Sequence, residues 1–427
     1  MKNTQQKNGF EGLGISPNIL QILESLHFSV PTPIQHKAIP IGIEGQDLIG
    51  IAQTGTGKTL AFAIPMIQSL ARTKGQGLVI VPTRELALQV HEEVQKIGRP
   101  LGAQAIVLIG GAPMGRQISD IKRNPHIIIA TPGRLIDHMN SKTVSLEKVN
   151  VLVLDEADRM LDMGFAPQIE RIIKQVPHQR QTMLFSATIP DQIMKIAQKY
   201  MKLPLRVEVA PSGTAAENVE QELYVVRQDS KLSLLATILA EYKGSVLVFS
   251  RTKYGAKRIT HAVNGMGHKS AEIHSNRSLA QRREALDGFK NGKYRVLIAT
   301  DIAARGIDVK GIELVINYDL PDNAEDYVHR IGRTGRAGHA GTAISFATPQ
   351  QRADVMRIEQ LIRRSIPASQ LPATMIPVSV APMRFEPSDS HYDHSRSQRP
   401  RRPYHSRQGV ASGRSRTARR GVRSGAR

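Results

Sequence analysis

Cysteine and tryptophan are missing from this 427-residue chain, and aromatic residues make up only 4% of it. Without cysteine there can be no disulfide, no thiolate zinc site and no cysteine nucleophile, and the composition suits a reducing compartment. The scarcity of aromatic side chains argues against base stacking as the main way in which the chain would hold a nucleic acid.

Long apolar runs are lacking as well. No run approaches the roughly 18 residues that a membrane-spanning helix needs, and the opening MKNTQQKNGFEGLG has no apolar stretch of the kind found in secretory signals. Acidic residues are also few, since 37 Asp and Glu face 58 Lys and Arg, giving a formal net charge of +21. We therefore expect a cytoplasmic protein without membrane contact and with a polyanionic partner, of which nucleic acid is the usual kind.

The positive charge is concentrated near the C-terminal end of the sequence. Between His391 and Arg427 there are eleven arginines and one acidic residue, Asp393. Arg, Ser, Gly, Pro and His dominate from residue 382 onward, so this segment cannot bury enough apolar surface to fold. Residues 382–427 are predicted to be a disordered, Arg-rich tail.

Short apolar runs alternate with helix-like stretches along the rest of the chain. Several runs are apolar throughout, as buried parallel strands are, and amphipathic segments such as Arg84–Gly98 separate them. This alternation predicts an α/β fold with doubly wound parallel sheets. The predicted strands are DLIGIA, GLVIVP, AIVLIG, HIIIAT, VLVLD, TMLFSAT and LRVEV in the first half, and QELYVV, GSVLVFS, AEIHS, YRVLIATD, LVINYDL and GTAISFAT in the second.

A small, polar segment, APSGTAAENVE, interrupts this pattern and indicates a linker at residues 210–220. We predict an N-terminal domain over residues 1–209 and a C-terminal domain over residues 221–370. A last helix, from Pro349 to Arg364, is expected to pack on the second domain.

The string AQTGTGKT has the pattern of a loop that holds phosphate groups, and it lies between a predicted strand and a predicted helix, as such a loop requires. Gly55 and Gly57 let the backbone point its N–H groups inward, and the helix N-terminus favours an anion. Lys58 would reach the β- and γ-phosphates, and the Thr59 hydroxyl would hold Mg²⁺. The residues predicted to bind the nucleotide here are Ala52, Gln53, Thr54, Gly55, Thr56, Gly57, Lys58 and Thr59.

The string DEAD, from Asp155 to Asp158, follows the apolar run VNVLVL. A buried strand of this kind would deliver its carboxylates to the phosphate loop. Asp155 is placed to hold Mg²⁺ through water, and Glu156 to orient the attacking water and take its proton. Together the two strings predict a protein that binds and hydrolyses a magnesium nucleoside triphosphate.

With these and eight further strings in the same order, the chain resembles the DEAD-box RNA helicases of superfamily 2, and among them the bacterial RhlE-like branch. The resemblance covers residues 10–364 and implies two RecA-like domains in tandem. The strings that carry it are HFSVPTPIQ downstream of Phe10, AQTGTGKT, PTRELALQ, Gly110-Gly111, TPGR, DEAD, SAT, LVFSRT, ATDIAARGID and HRIGRTGR.

The resemblance implies how the base and sugar are recognised. Gln35 would read the adenine edge, because an amide can pair bidentately with N6 and N7. Phe28 and the upstream Phe10 would lie near the base, and Asp308 would touch the ribose. The implied nucleotide is ATP rather than GTP, bound with Mg²⁺.

The resemblance also divides catalysis between the domains. Arg333 and Arg336 would be arginine fingers that the second domain, which has no phosphate loop of its own, brings over the γ-phosphate. A missing arginine finger lowers the rate by roughly 10³- to 10⁵-fold, so hydrolysis should require the domains to close. The residues implied to couple the ATP site to RNA are Asp158, Ser186, Thr188 and His329.

RNA is implied to lie across both domains, on the face opposite the ATP site, and to be held by backbone contacts that carry little sequence information. Preference over DNA would come from contacts to the 2′-hydroxyl. Closure would bend one strand and open a short duplex locally. The residues implied to bind RNA are Arg84, Gly111, Thr131, Arg134, Arg251, Arg282 and Thr300.

Four positions depart from the expected strings. Ala52 replaces the first Gly of the strict phosphate-loop pattern, and His27 replaces the Gly before the aromatic residue of HFSVPTPIQ. Leu279 stands where the family has the Gln of a Gln–x–x–Arg element, whereas Arg282 is kept; His274-Ser275-Asn276 replaces His-Gly-Asp or His-Gly-Asn. These departures bear on RNA contact in the second domain and leave the expected ATPase residues intact.

Three alternatives stay open beside an ATP-dependent RNA helicase. An ATP-gated RNA clamp or annealing chaperone that works with partner proteins would carry the same motifs. A passive RNA-binding protein with a dead nucleotide site is disfavoured by the intact catalytic residues, and a DNA helicase is the weakest alternative. We expect a monomer acting on single-stranded or short duplex RNA, with ribosome or RNA-decay proteins as partners, although the sequence does not name the RNA.

Overall fold

The computed structural model describes most of the chain outside the Arg-rich tail. The residues that it describes are 9–53, 55–209, 219–304, 311–335 and 341–378. Most of the predicted linker and the whole predicted tail lie outside them. Val219 and Glu220, which the sequence had placed in the linker, instead begin a strand, because Val219 is buried in the second sheet.

The first of two sheets is built by residues 48–208, and we call residues 9–209 the first lobe. All neighbouring strands in it are parallel. Its strands are β1 (Leu48–Ile51), β2 (Gln76–Ile80), β3 (Ala105–Leu108), β4 (Ile127–Ala130), β5 (Val149–Leu154), β6 (Gln181–Ser186) and β7 (Leu205–Glu208). Their order across the sheet is β3-β4-β2-β5-β6-β1-β7.

The second sheet lies in residues 219–378, which we call the second lobe, and it is also entirely parallel. Its strands are β8 (Val219–Val225), β9 (Val246–Phe249), β10 (Ser270–Ile273), β11 (Val296–Ala299), β12 (Leu314–Asn317), β13 (Gly341–Ala347) and β14 (Ala368–Ser369). Their order is β10-β11-β9-β12-β13-β8-β14. Counted from the first strand of each lobe, the two sheets have the same strand order.

Helices connect the strands and cover both faces of each sheet. Those of the first lobe are α1 (Pro17–Ser25), α2 (Pro33–Ile43), α3 (Lys58–Arg72), α4 (Arg84–Gly98), α5 (Met114–Ile121), α6 (Pro132–Asn140), α7 (Ala157–Asp162), α8 (Ala166–Ile173) and α9 (Asp191–Tyr200). Those of the second are α10 (Lys231–Glu241), α11 (Lys253–Gly265), α12 (Leu279–Lys290), α13 (Asp301–Ala304), α14 (Ala324–Ile331) and α15 (Arg352–Ile362). Short 3₁₀ helices occupy Arg99–Leu101 and Pro349–Gln351.

All thirteen predicted strands are present, so the predicted fold of two doubly wound parallel sheets is confirmed. The strands were recognisable because six of them, including β1, β4 and β9, are buried at every position, and a strand covered on both faces is apolar throughout. Strand β14 was missed because it has only two residues. In the described residues, no helix is both long and apolar enough to cross a membrane.

The predicted helices begin and end close to their expected bounds. Helix α4 spans Arg84–Gly98 as predicted, and the Thr83 side chain caps it by accepting a hydrogen bond from Leu86 N. Helix α15 begins later than Pro349 because a 3₁₀ turn comes first, in which Thr348 N donates to Gln351 Oε1. Capping residues therefore set the local bounds of both elements.

His27, one of the four departures, has a left-handed backbone with φ of 61°. It follows the last turn of α1, where His27 N donates to Glu24 O and Phe28 N donates to Leu23 O. Glycine is favoured at such a position because a Cβ atom strains the left-handed conformation. The family's preference for Gly there therefore has a backbone cause, and His27 retains the turn under strain.

His27→Gly should raise the free energy of unfolding by up to about 1 kcal/mol, because relief of the left-handed strain outweighs the extra freedom of Gly in the unfolded chain. Urea unfolding of the ligand-free protein measures the change. His36→Gly, on the exposed side of α2, is the matched control and should lower stability by about 0.5 to 1 kcal/mol. Destabilisation by both substitutions would contradict the account of His27.

Candidate active site

The phosphate loop joins β1 to α3 as predicted. Gly55 and Gly57 have φ of 84° and 87°, and α3 begins at Lys58 directly after Gly57. The Thr56 hydroxyl donates to Gln53 O at 2.7 Å, and Ala52 N donates to Ser186 O at 3.0 Å. These contacts fix the start of the loop against β6. Thr54 lies outside the described residues.

Lys58 is the clearest sign that the loop holds an anion. Its side chain is only 6% exposed, and Nζ is buried without a hydrogen-bond partner among the described residues. A buried ammonium group without hydrogen bonds is unfavourable, and phosphate oxygens at the loop would supply them. Thr59, which was predicted to hold Mg²⁺, follows Lys58 in the first turn of α3.

Strand β5 delivers the acidic residues to this loop. Asp155 follows the strand, and its Oδ1 accepts a hydrogen bond from Glu156 N at 2.9 Å. Glu156 has a left-handed backbone, with φ of 54° and ψ of 49°, and its Oε2 accepts from Arg159 Nη1 at 2.9 Å. The Glu156 and Arg159 side chains are 4% and 1% exposed, so the pair is almost removed from water.

The pKa values of the two acidic side chains are shifted in opposite directions because their partners differ. Burial raises the pKa of Asp155 to about 6, although Lys58 opposes the rise. Burial would also raise the pKa of Glu156, but the positive charges of Arg159, Lys58 and Arg333 outweigh it and hold the pKa below its usual value. Glu156 is therefore ionised over the physiological range, as a group must be if it is to accept a proton from water.

Asp158, Ser186 and Thr188, three of the four predicted coupling residues, form one hydrogen-bonded unit. Asp158 Oδ2 accepts from Ala187 N at 3.0 Å, from Thr188 N at 2.9 Å and from the Thr188 hydroxyl at 3.0 Å. Asp158 N donates to Ser186 Oγ at 3.2 Å. Burial alone would raise the pKa of Asp158, but His329, Lys58 and Arg159 hold it low. The acidic segment and the end of β6 are thus rigidly joined.

The second lobe brings two of its predicted residues to the same place. Arg333 is buried, and its Nε donates to His329 O at 3.2 Å. Its positive charge is close enough to lower the pKa of Glu156. Burial, followed by the charge of Arg159, lowers the pKa of His329, which lies 4.0 Å from Asp326. Arg336 and Asp308 lie outside the described residues.

A pocket at this meeting of the lobes contains residues that the sequence analysis did not single out. Arg159 could have been found from its spacing, because residues i and i+3 meet on a helix surface and it follows Glu156 by three. Arg330 binds Asp301 through Nε and Nη2 at 2.6 and 2.7 Å and supports the pocket wall. The pocket is lined by Arg159, Phe249, Asp301, Asp326, His329, Arg330 and Arg333.

The residues implied to contact adenine are not gathered in one exposed place. Gln35 is buried, its Oε1 accepts from Thr32 N at 2.9 Å, and its Nε2 donates to Gly57 O at 3.0 Å. It therefore ties the start of α2 to the phosphate loop, and a Cβ atom at Gly57 would clash with it. Phe28 is 40% exposed and open to a ligand, whereas Phe10 is buried in the apolar core of the first lobe.

The predicted RNA-binding residues of the first lobe lie near the loop that contains Gly110 and Gly111. The Arg84 guanidinium covers Gly110 and Gly111 so closely that a Cβ atom at Gly111 would meet it. Thr131 precedes α6 as its N-cap. Arg134 Nη1 donates to Ala112 O at 3.0 Å, which ties α6 to the same glycine loop and joins these residues into one surface.

The three predicted RNA-binding residues of the second lobe have different surroundings. The Arg251 side chain is 45% exposed and pairs with Asp322 at 3.3 Å, and Thr300 N donates to Ile273 O. Arg282 was expected to bind RNA, but it is buried and its Nη2 donates to Glu85 Oε2 at 2.8 Å. This pairing between the lobes was not predicted, and the expected contact of Arg282 with RNA stays a prediction.

The chain matches two families known from other proteins. Residues 32–196 match the DEAD/DEAH box helicase family, and residues 230–338 match the helicase conserved C-terminal domain. A DEAD/DEAH box helicase would need a nucleotide site that is shared between the two lobes, with a phosphate loop on one lobe and an arginine on the other. The regions matched contain the phosphate loop, the acidic segment and Arg333.

Similar proteins show which kind of helicase this chain resembles. The DEAD-box ATP-dependent RNA helicase CshA of Bacillus cereus is 43% identical over 360 residues, 84% of this chain and 69% of that protein. The ATP-dependent rRNA helicase RRP3 of Scheffersomyces stipitis is 42% identical over 84% of this chain and 75% of its own. The chain therefore belongs to the DEAD-box family of ATP-dependent RNA helicases.

Solved structures agree with this assignment. S. cerevisiae Dbp5 bound to RNA and ADP BeF3 is 30% identical, with a TM-score of 0.76 over 85% of this chain and 95% of that one. Mss116 bound to single-stranded RNA and UDP-BeF is 28% identical, with a TM-score of 0.79 over 85% of this chain and 79% of that one. Both likenesses span the two lobes.

Asp155→Asn should stabilise the ligand-free protein more at pH 7.5 than at pH 4.5. The folded pKa of about 6 lies above the unfolded value of about 3.9, so the folded state binds more protons and its stability falls as pH rises between these values. The difference between variant and wild type should grow by on the order of 2 to 3 kcal/mol over this range. Unfolding at both pH values measures it, and an equal difference at both would contradict the buried-charge account.

Proposed function

We propose that this DEAD-box protein uses ATP binding and hydrolysis to separate short RNA duplexes or remodel ribonucleoprotein locally. The observation that carries the proposal is the convergence of Lys58, Glu156 and Arg333 on one buried place, the first two from one lobe and the third from the other. In this arrangement hydrolysis depends on contact between the lobes. An enzyme whose lobes close on RNA can therefore couple ATP hydrolysis to RNA binding.

The phosphate loop and Lys58 would hold the triphosphate, with Lys58 gaining the partners that its buried ammonium lacks. Thr59 and Asp155 would hold Mg²⁺, directly and through water, and the ion would neutralise charge on the phosphates. Phe28 would cover the base. Gln35 would contact adenine with the hydrogen-bonding capacity left after Thr32 and Gly57, since its oxygen has a second lone pair and its nitrogen a second hydrogen.

Glu156 would orient the water that attacks the γ-phosphate. Its carboxylate is held by Arg159 at 2.9 Å and stays ionised, which suits it for orienting water. Arg333 would place a positive charge where the transition state develops negative charge, and Arg336 is proposed to act with it. Asp308 is proposed to touch the ribose.

RNA would bind through its backbone along the surface that contains Arg84, Gly111, Thr131 and Arg134 in the first lobe. Arg251 and Thr300 would extend this surface in the second. The Asp158–Ser186–Thr188 unit, together with His329, would carry the state of the nucleotide to this surface, because its hydrogen bonds link the acidic segment to the end of β6. Contacts to the 2′-hydroxyl would favour RNA.

We also propose a first domain over residues 1–209, a linker at 210–218, a second domain over residues 219–370, an Arg-rich tail at 382–427 and a monomeric, cytoplasmic protein. The RhlE-like branch is proposed on the motif resemblance. Roles in ribosome assembly or RNA degradation, with protein partners from those processes, are proposed because both use local RNA remodelling.

An ATP-gated RNA clamp is the second candidate, and one observation favours it. The buried Arg282–Glu85 pair joins the lobes, and opening has to break its charge-assisted hydrogen bond, so the closed state should open slowly. The clamp would be favoured over the helicase if phosphate release were much slower than strand separation and RNA stayed tightly bound until the phosphate had left.

Steady-state ATP hydrolysis with and without single-stranded RNA tests the leading proposal. Strong stimulation by RNA is expected, and Glu156→Gln should lower the stimulated rate by at least about 10²-fold, because the variant cannot accept a proton from water. Arg333→Ala should lower it by roughly 10³-fold or more. The control Arg352→Ala, at the exposed start of α15, should leave it unchanged. Equal rates with and without RNA, together with no separation of a short duplex, would refute the proposal.

Removal of the tail after Pro387 should weaken RNA binding without changing its sequence preference. If the tail neutralises about six phosphates, the slope of log affinity against log salt should flatten by roughly 4. A variant with every tail arginine replaced by lysine keeps the charge and should keep the slope. An unchanged slope after truncation would mean that the tail serves another purpose, such as solubility.

A further inference from the structure

Helix α12 belongs to the second lobe but does not pack on that lobe alone. Ala285, Leu286 and Phe289, in its later turns, belong to the apolar core of the second lobe. Leu279, at its first position, packs instead against the apolar core that contains Phe10 and Val90. Every other residue of that core lies in the first lobe. The first turn of α12 is therefore an apolar contact across the lobes.

Two ion pairs lie beside this apolar contact. Arg282 pairs with Glu85 at 2.8 Å, with both side chains less than one-tenth exposed, and Arg283 lies 4.0 Å from Glu92 at an exposed rim. Leu279, Arg282 and Arg283 have the i, i+3, i+4 spacing of one helix face. Glu85 and Glu92 are seven residues apart on α4 and likewise share a face. We call these five residues the α12–α4 contact.

The first turn of α12 is also fixed internally. Ser278 N donates to Gln281 Oε1 at 3.0 Å, and Gln281 N donates to Ser278 Oγ at 3.2 Å, which is a capping box. Gln281 is thereby occupied with its own helix end. Leu279 is held in a defined direction by this cap, so its contact with the first lobe does not require RNA to order it.

We propose that Leu279 is a positioning residue that stabilises the closed arrangement of the lobes before RNA binds. Its apolar side chain leaves water only when α12 meets α4, and burial of apolar surface favours that state. The flanking ion pairs fix the alignment of the two helices, whereas the leucine gives a contact that salt does not screen. A polar residue of similar size would remain hydrated in the open state and favour opening.

A polar substitution at Leu279 should therefore affect the RNA-free enzyme more than the RNA-saturated enzyme. Leu279→Gln should lower the closed fraction and the ATPase rate without RNA by about 3- to 10-fold, as expected for loss of one partly buried leucine. At saturating RNA the rate should stay near that of wild type, because RNA contacts then favour closure. The RNA concentration for half-maximal activity should rise by a similar factor. Leu279→Met, which keeps the apolar contact, should resemble wild type throughout.

Closure can be measured apart from catalysis because the chain has no cysteine. Ser119→Cys in α5 and Lys257→Cys in α11 introduce exposed labelling sites, one in each lobe. Energy transfer between the two dyes, with a non-hydrolysable ATP analogue and no RNA, reports the closed fraction. Only the rate prediction rests on the proposed ATPase function. If the protein proved not to be an RNA-dependent ATPase, the distance measurement would still test whether Leu279 stabilises the closed arrangement.

Met356→Gln is the matched control, since Met356 is 51% exposed on α15 and the substitution makes the same kind of change outside the α12–α4 contact. It should leave closure and both rates as in wild type. The inference is overturned if Leu279→Gln leaves the RNA-free closed fraction unchanged. It is also overturned if the variant changes only RNA affinity, because Leu279 would then act through RNA and not through the first lobe.

Discussion

The structure depends on keeping five charged side chains buried together. Lys58, Asp155, Glu156, Asp158 and Arg159 are all nearly removed from water, and a buried charge is strongly unfavourable unless others balance it. The three carboxylates exceed the two cations by one formal charge, and Arg333 of the second lobe supplies the missing positive charge. The excess negative charge of the first lobe therefore favours contact with the second lobe, and the group that makes this contact, Arg333, is the one proposed to act in catalysis.

The backbone around these buried charges has little freedom because the ion pairs and hydrogen bonds that balance them also fix it. Glu156 adopts a left-handed conformation that a side chain normally disfavours, and its pairing with Arg159 compensates. Asp158 is held by three hydrogen bonds from the segment after β6. A change in one lobe can therefore be transmitted through a few short hydrogen-bonded links.

The strands and the phosphate loop could be predicted from sequence because their causes are local. Fully buried strands must be apolar, and a phosphate loop must have glycines and a lysine in a fixed order. The partner of Arg282 could not be predicted, since Glu85 is 197 residues away in the chain and the two meet only through the packing of the lobes. Gln35 was expected to face the base, but its use as a helix cap depends on Thr32 and Gly57. Phe10, which was expected beside the base, is buried in the core of the first lobe, and this burial was not predicted because sequence alone does not show which way an aromatic side chain points.

The equal strand order of the two sheets has a further consequence. A site formed between two lobes of the same topology is equivalent to the interface of a dimer whose subunits have been joined in one chain. Joining them makes assembly of the site a unimolecular event with a high effective concentration, independent of how much protein is present. It also releases the two halves from having to be identical, so one could keep the phosphate loop while the other became specialised to supply the arginine.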